Sequence, residues 1–278
     1  MLTTLPAIET VREPMPSGFG DWMTIWFAQP EMRNPMTDEM VAETVAALEA
    51  VREDRTLRGI TLRGQGGVFS AGGNLRQFAE DFQTGHDREP ILAMSRGAAR
   101  ILDTVATQPQ VTVALVEGAA VAGGLGMVCA CDLVIAQASA KFALTETMIG
   151  LTPAQIAPFV MARLGERTAR RLMLTAARFD GDEAFALGLA DYTGAEATDL
   201  EVHEMAVRGQ IANTAPGAIA ALKALLRELP GRTREEQIEL AAANFADRMV
   251  SDEAKEGIAS FFEKRRPAWA TGPMGTAR

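Results

Sequence analysis

Three places in this chain combine residue types that could do chemistry. The first is VFSAGGNLRQF, where Ala71-Gly72-Gly73-Asn74 sits between an apolar strand and an expected helix starting near Asn74. The second is EGAAVAGGLGMVCACDL, where Gly123, Gly124 and Gly126 open an apolar helix. Glycines at a strand-to-helix turn permit backbone angles closed to other residues and let a ligand approach the main chain. The exposed amides of such a turn are ready anion donors. Geometry alone also explains each turn: a tight corner in one case, close helix-on-sheet packing in the other. Two turns strengthen each other, because an oxyanion hole needs two N–H groups converging on one oxygen. The third place is Glu146, in the otherwise apolar FALTETMIG. A carboxyl group buried there has its pKa raised toward the range useful for proton transfer; its plainer role is to cap the following turn.

Other chemistries fit poorly. A dinucleotide fingerprint needs G-x-G-x-x-G with an acid about 20 residues on, whereas these glycines read G-G-L-G. Cys129 and Cys131 lie two apart in an apolar stretch, too close for an unstrained disulfide and without neighbours to complete a metal site. We therefore expect buried thiols and no metal. The two histidines, His86 and His203, are far apart in sequence, which argues against a histidine-based triad. A formal charge of −9 disfavours nucleic acid as a partner. No apolar run approaches the roughly 20 residues of a membrane span, and the N-terminus lacks the pattern of a signal peptide, so no membrane association and a cytoplasmic location are expected.

The elements that must position these residues alternate. Strands are expected over Asp21–Pro30, Gly59–Arg63, the first half of VTVALVEGAAVAGGLG and Leu133–Gln137. Helices are expected over Asp38–Val51, where Thr37 supplies the cap, and over Ile91–Thr107. Later helices are read at Pro158–Ala177, Gly181–Gly188, Glu201–Asn213, Pro216–Leu229 and Thr233–Arg248. Strand–helix alternation predicts an α/β fold of parallel units. A soft boundary divides a core, residues 1–205, from a C-terminal helical region, 206–278.

Taken together, the motifs resemble the crotonase superfamily of enoyl-CoA hydratases and isomerases. FSAGGNL is similar to that family's first oxyanion segment, and EGAAVAGGLGMVCACDL to its second. KFALTETMIGLTP resembles the strand-loop that carries a glutamate, and EAKEGIASFFEKRRPAW the C-terminal signature helix. The resemblance is collinear over nearly the whole chain. It implies a spiral of ββα units with a C-terminal helical trimerisation region, and a homotrimer or a hexamer built as a dimer of trimers. It also implies an acyl-CoA thioester as substrate, with coenzyme A entering only as part of it and no separate cofactor. The amides of Gly73 and Gly123 would hold the thioester oxygen, and the Ala71 carbonyl would meet the adenine amino group. Asn74, Leu75 and Arg76 would line the same segment. Arg33 would offer a cation to the CoA phosphates, with Phe261 and Lys264 lining the CoA site, in some relatives from an adjacent subunit.

One departure matters. Typical hydratases carry a second glutamate where this chain has Gly126, and an aspartate where it has Asn74. GLTPAQIAPFVMARLGERTARRLMLTAARFDGDEA resembles hydratases of branched glutaconyl-type thioesters, such as those acting on isohexenylglutaconyl-CoA, so Gly126 is expected to make room for a bulky acyl chain. The leading reading is hydration of a branched or bulky 2-enoyl-CoA. The alternatives are a 3,2-enoyl-CoA isomerase working with Glu146 alone, and a catalytically weak acyl-CoA-binding subunit.

Overall fold

The computed structural model describes residues 6–74 and 88–270. Among the described residues, nine strands form two sheets. β1 (Ile8–Pro14) pairs antiparallel with β2 (Asp21–Phe27), and from β2 onward the pairing in the larger sheet is parallel. β3 (Leu57–Gly64), β4 (Val111–Val116), β6 (Leu133–Gln137) and β9 (Tyr192–Gly194) complete it in the order β1-β2-β3-β4-β6-β9. The smaller sheet is β5-β7-β8, from β5 (Ala119–Val121), β7 (Lys141–Ala143) and β8 (Phe179–Asp180).

The sequence pattern explains which faces are covered. In β2, Met23, Ile25 and Phe27 enter the main core with Ile60 and Leu62 of β3, while Trp22 points to the other face. Helix α1 (Asp38–Ala50) begins where the Thr37 hydroxyl accepts the Met40 N–H at 3.1 Å, and it buries Met40, Val45 and Leu48. Helices α2 (Arg88–Ala106), α3 (Gly123–Ala130), α4 (Ala157–Thr175) and α5 (Gly181–Ala186) line the same core. Helix α6 (Ala197–Ile211) covers the opposite face of the large sheet, where Leu200, Val207 and Ile211 meet Trp22, Val113, Leu115 and Ile135. Ala206 thus lies within a helix that packs on the sheet.

The helices beyond α6 contribute little to that packing. α7 (Pro216–Glu228) and α8 (Arg234–Met249) bury no residue, and α9 (Asp252–Phe262) buries only Ser260. They leave Leu222, Leu226, Phe245, Phe261 and Phe262 exposed. They are attached at the N-terminal end of β3, where Arg58 donates to the carbonyls of Thr214 and Trp269, and through Lys223 of α7, which donates to Gln110 O at 2.8 Å and pairs with Asp132. Among the described residues, no helix is long and apolar enough to cross a membrane.

Candidate active site

Three parallel segments run side by side to one edge. Ser70 bridges Ala120, and Ala120 pairs with Phe142, all parallel. Gly73 and Gly123 follow that row by three residues and Glu146 by four, so all three leave the fold at the same edge. The bonds that fix the register are short: Ser70 N–H to Ala119 O at 3.0 Å, Val121 N–H to Ser70 O at 3.1 Å, and Ala122 N–H to Ala143 O at 2.8 Å.

The first turn is anchored from the loop before α1. Ala71 N–H donates to Arg33 O at 2.9 Å and Met36 N–H to Gly72 O at 2.8 Å. Buried Asn34 ties the base of this loop by donating to the carbonyls of Gln65 and Val68 while accepting from Gln29 N–H. Gly72 has φ +89, and a Cβ there would stand 2.7 Å from Val121 O and 3.0 Å from Ala122 Cβ. Only glycine combines that backbone angle with such close approach of the two turns.

The second turn carries strain. Ala122, just before α3, has φ 50 and ψ −121, a conformation that costs an L-residue on the order of 1–3 kcal/mol. It holds Gly123 at the first position of α3, whose first intrahelical bond runs from Gly126 N–H to Ala122 O. Among the described residues, neither Gly73 N–H nor Gly123 N–H has a protein acceptor. Two such donors at one edge can stabilise an oxyanion.

Glu146 begins a short 3-10 turn, Glu146–Ile149, and is half-buried. Its Oε2 is buried and has no hydrogen-bond partner among the described residues. Burial raises its pKa, opposed by a weaker bond from its own backbone N–H. Among the described residues, no ion pair holds it. It is equipped to move a proton.

The remaining expected residues divide. Ala71 and Asn74 belong to the anchored turn. Arg33 is exposed beside it, with φ 63 and no ion pair among the described residues, its carbonyl already engaged by Ala71. Leu75, Arg76, His86 and the helix expected from Asn74 lie outside the described residues. Phe261 and Lys264 are not brought to this edge within the chain. Phe261, in the last turn of α9, is 78% exposed and packs edge-on against Phe262. The neighbouring Gly257 lies against Trp269, beside the Arg58 attachment at the far end of the strands.

Gly126 requires a correction. It does not open onto free space: a Cβ there would stand 2.1 Å from Ile156 Cγ2 and 2.7 Å from Ile156 Cβ. The notch is filled by a buried side chain from the start of α4, a partner some 30 residues away that no local spacing announces. The other reactive types are structural. Cys129 and Cys131 are buried free thiols, and burial pushes Cys129 up to about 12 and Cys131 further. His203 stacks on Tyr192. Among the described residues, no group of His, Cys, Asp and Glu is placed to hold a metal.

A two-sheet core with a C-terminal helical region, ending in two paired glycine turns and one glutamate, is the crotonase fold. The chain belongs to the enoyl-CoA hydratase/isomerase family, whose model matches residues 22–272. A putative enoyl-CoA hydratase of Thermus thermophilus is 35% identical over 248 residues, 89% of this chain and 97% of that protein. A mitochondrial Δ(3,5)-Δ(2,4)-dienoyl-CoA isomerase of Dictyostelium discoideum is 28% identical, over 86% of this chain and 84% of its own length. Among solved structures, Pseudomonas aeruginosa AtuE superposes with a TM-score of 0.88 at 42% identity, covering 94% of this chain and 99% of its own. An enoyl-CoA hydratase/isomerase from Marinobacter aquaeolei follows with a TM-score of 0.87, at 33% identity over 96% of this chain and all of its own.

Proposed function

We propose that the chain hydrates a 2-enoyl-CoA thioester, with Gly73 and Gly123 holding the oxygen and Glu146 handling the proton. The observation that carries this reading is the shared register that delivers to the same edge two amides and one half-buried carboxyl group that, among the described residues, have no hydrogen-bond acceptor and no paired cation. Glu146 as a carboxylate takes a proton from water while the water oxygen bonds to C3. The C2–C3 π electrons move toward the thioester, whose enolate oxygen accepts from the two amides. The proton now on Glu146 passes to C2 as the enolate collapses. One carboxyl group thereby serves as base and then as acid, and its elevated pKa suits the second step. Each amide contributes about 3–4 kcal/mol to holding the developing charge.

The acyl group we infer is branched or bulky. Apolar walls support this: Met36 Sδ lies 2.7 Å from where a Gly123 Cβ would stand, and Ile156 covers Gly126. Room for a branch then has to come from elsewhere than Gly126. Arg33, exposed beside the first turn, is the cation assigned to the CoA phosphates, with Ala71 O for the adenine and Asn74, Leu75 and Arg76 along the same segment. Coenzyme A enters only as part of the substrate. The exposed apolar side chains of α7–α9 support a trimer or a dimer of trimers, in which Phe261 and Lys264 reach a neighbouring subunit's CoA site.

A 3,2-enoyl-CoA isomerase is the second reading, favoured because a single carboxyl group such as Glu146 suffices to move a proton between two carbons. Absorbance of the conjugated thioester separates the two. Hydration bleaches that band on a 2-enoyl-CoA, whereas isomerisation creates it from a 3-enoyl-CoA; no change on either substrate leaves only an acyl-CoA-binding subunit.

A further inference from the structure

We infer that Ile156 determines acyl specificity, by standing where a side chain at position 126 would stand and making that wall of the site hydrocarbon. The inference rests on the acyl-CoA reading above. Gly123 and Gly126 are three residues apart on α3 and therefore share a helix face. Each glycine on that face is covered by one apolar side chain, Met36 over Gly123 and Ile156 over Gly126. An acyl group whose oxygen is held by Gly123 N–H therefore runs along a face on which Ile156 is the next side chain.

Ile156 is held in place from both sides. The turn leading into it is closed by Ala157 N–H to Pro153 O at 2.8 Å, and the turn after it by Val160 N–H to Ile156 O at 3.0 Å. Its neighbour Gln155 donates to Ser95 Oγ of α2 at 2.9 Å, so the segment before α4 is tied across to a second helix. A side chain anchored in this way presents a fixed width to the substrate. The pairing also explains why position 126 is glycine: at 2.1 Å even a methyl group overlaps Ile156, and a glutamate cannot enter unless Ile156 moves.

The test has two readouts. Thermal unfolding of Gly126→Ala, Ile156→Ala and the double variant examines the contact itself. Gly126→Ala is expected to lower Tm by about 2–10 °C through overpacking. The double variant should lose less than the sum of the two singles. Calorimetric binding of butanoyl-CoA and 3-methylbutanoyl-CoA examines specificity without requiring turnover. Ile156→Ala is expected to shift the ratio of the two Kd values about tenfold toward the branched thioester, and Ile156→Phe to shift it the other way. Ile156→Val, with a smaller shift in the same direction as Ala, serves if the alanine variant does not fold. Additive Tm losses would remove the contact, and a Kd ratio constant within about twofold would reduce Ile156 to core packing; either result overturns the inference. Failure of the wild-type chain to bind either thioester would overturn the acyl-CoA reading instead, and with it the specificity role, leaving the Tm coupling as a packing fact.

Discussion

Two glutamates in this molecule, Glu204 buried and Glu146 half-buried, sit in opposite circumstances. On the outer face of the large sheet, Glu204 accepts from the Thr61 hydroxyl and pairs with Arg208 at 2.9 Å. Thr61 in turn accepts from Trp22 Nε1 at 2.8 Å, and Arg208 lies 5.0 Å over the Trp22 ring. At the edge where the smaller sheet ends, Glu146 has a buried oxygen with no partner among the described residues and no cation. Burial without compensation is costly. The same contrast holds for backbone donors. Ser70 and Ala122 are matched to carbonyls, while Gly73 and Gly123, a step further along, are not. Saturated groups hold the structure, and unsaturated ones are the groups that the proposed function assigns to substrate.

The largest effect should come from Glu146→Gln. Turnover is expected to fall by about two to four orders of magnitude, while the folded state is kept or slightly stabilised at neutral pH. The sign follows from linkage: a carboxyl group whose pKa is raised on folding contributes stability below its unfolded pKa and loses it as pH rises through the folded value. Steady-state kinetics alongside melting at pH 7 would show the two properties moving in opposite directions. A large drop in Tm would place Glu146 with Glu204 and dissolve the comparison.

Glu204→Ala should behave in the reverse manner. It leaves Arg208 buried with only the weaker, partly exposed Glu13 contact at 3.3 Å, and is expected to cost about 3–5 kcal/mol of stability. Activity per folded molecule should persist. Denaturant unfolding combined with active-site titration checks this, and loss of kcat in fully folded protein would contradict it.

The acid limb of the pH–rate profile offers a smaller effect. The proposed hydration requires Glu146 ionised, so the rate should fall below an apparent pKa above the ordinary carboxylate value of 4.5. An inflection at or below that value would mean that another group titrates. Smaller still is Arg33→Ala, which removes an exposed cation beside the first turn. A rise of about tenfold in KM with kcat nearly unchanged is expected for one charge-assisted contact. Repeating the comparison with a pantetheine thioester lacking the nucleotide should abolish the difference.

Much of this arrangement was legible in the sequence, for physical reasons that differ by element. β6 and the starts of α1 and α7 follow from uninterrupted apolar runs and from Thr37 and Pro216 at their boundaries. β1 was not anticipated because it is a sheet edge whose charged residues, Glu9, Arg12 and Glu13, face solvent and erase the alternation. α6 begins four residues earlier than expected, because its N-terminus is capped by Glu196 and Asp199 rather than by Ser or Thr. Gly73, Gly123 and Glu146 were visible as motifs, and parallel register is what gathers them. Ile156 was not visible, since its significance is a contact between α3 and the start of α4.

The most direct test of the central claim is a crystal structure with a bound acyl-CoA. The thioester oxygen is expected within about 2.7–3.1 Å of both Gly73 N and Gly123 N, with Glu146 beside C2 and C3. A thioester oxygen bonded elsewhere, with either amide turned to a protein acceptor, would contradict it.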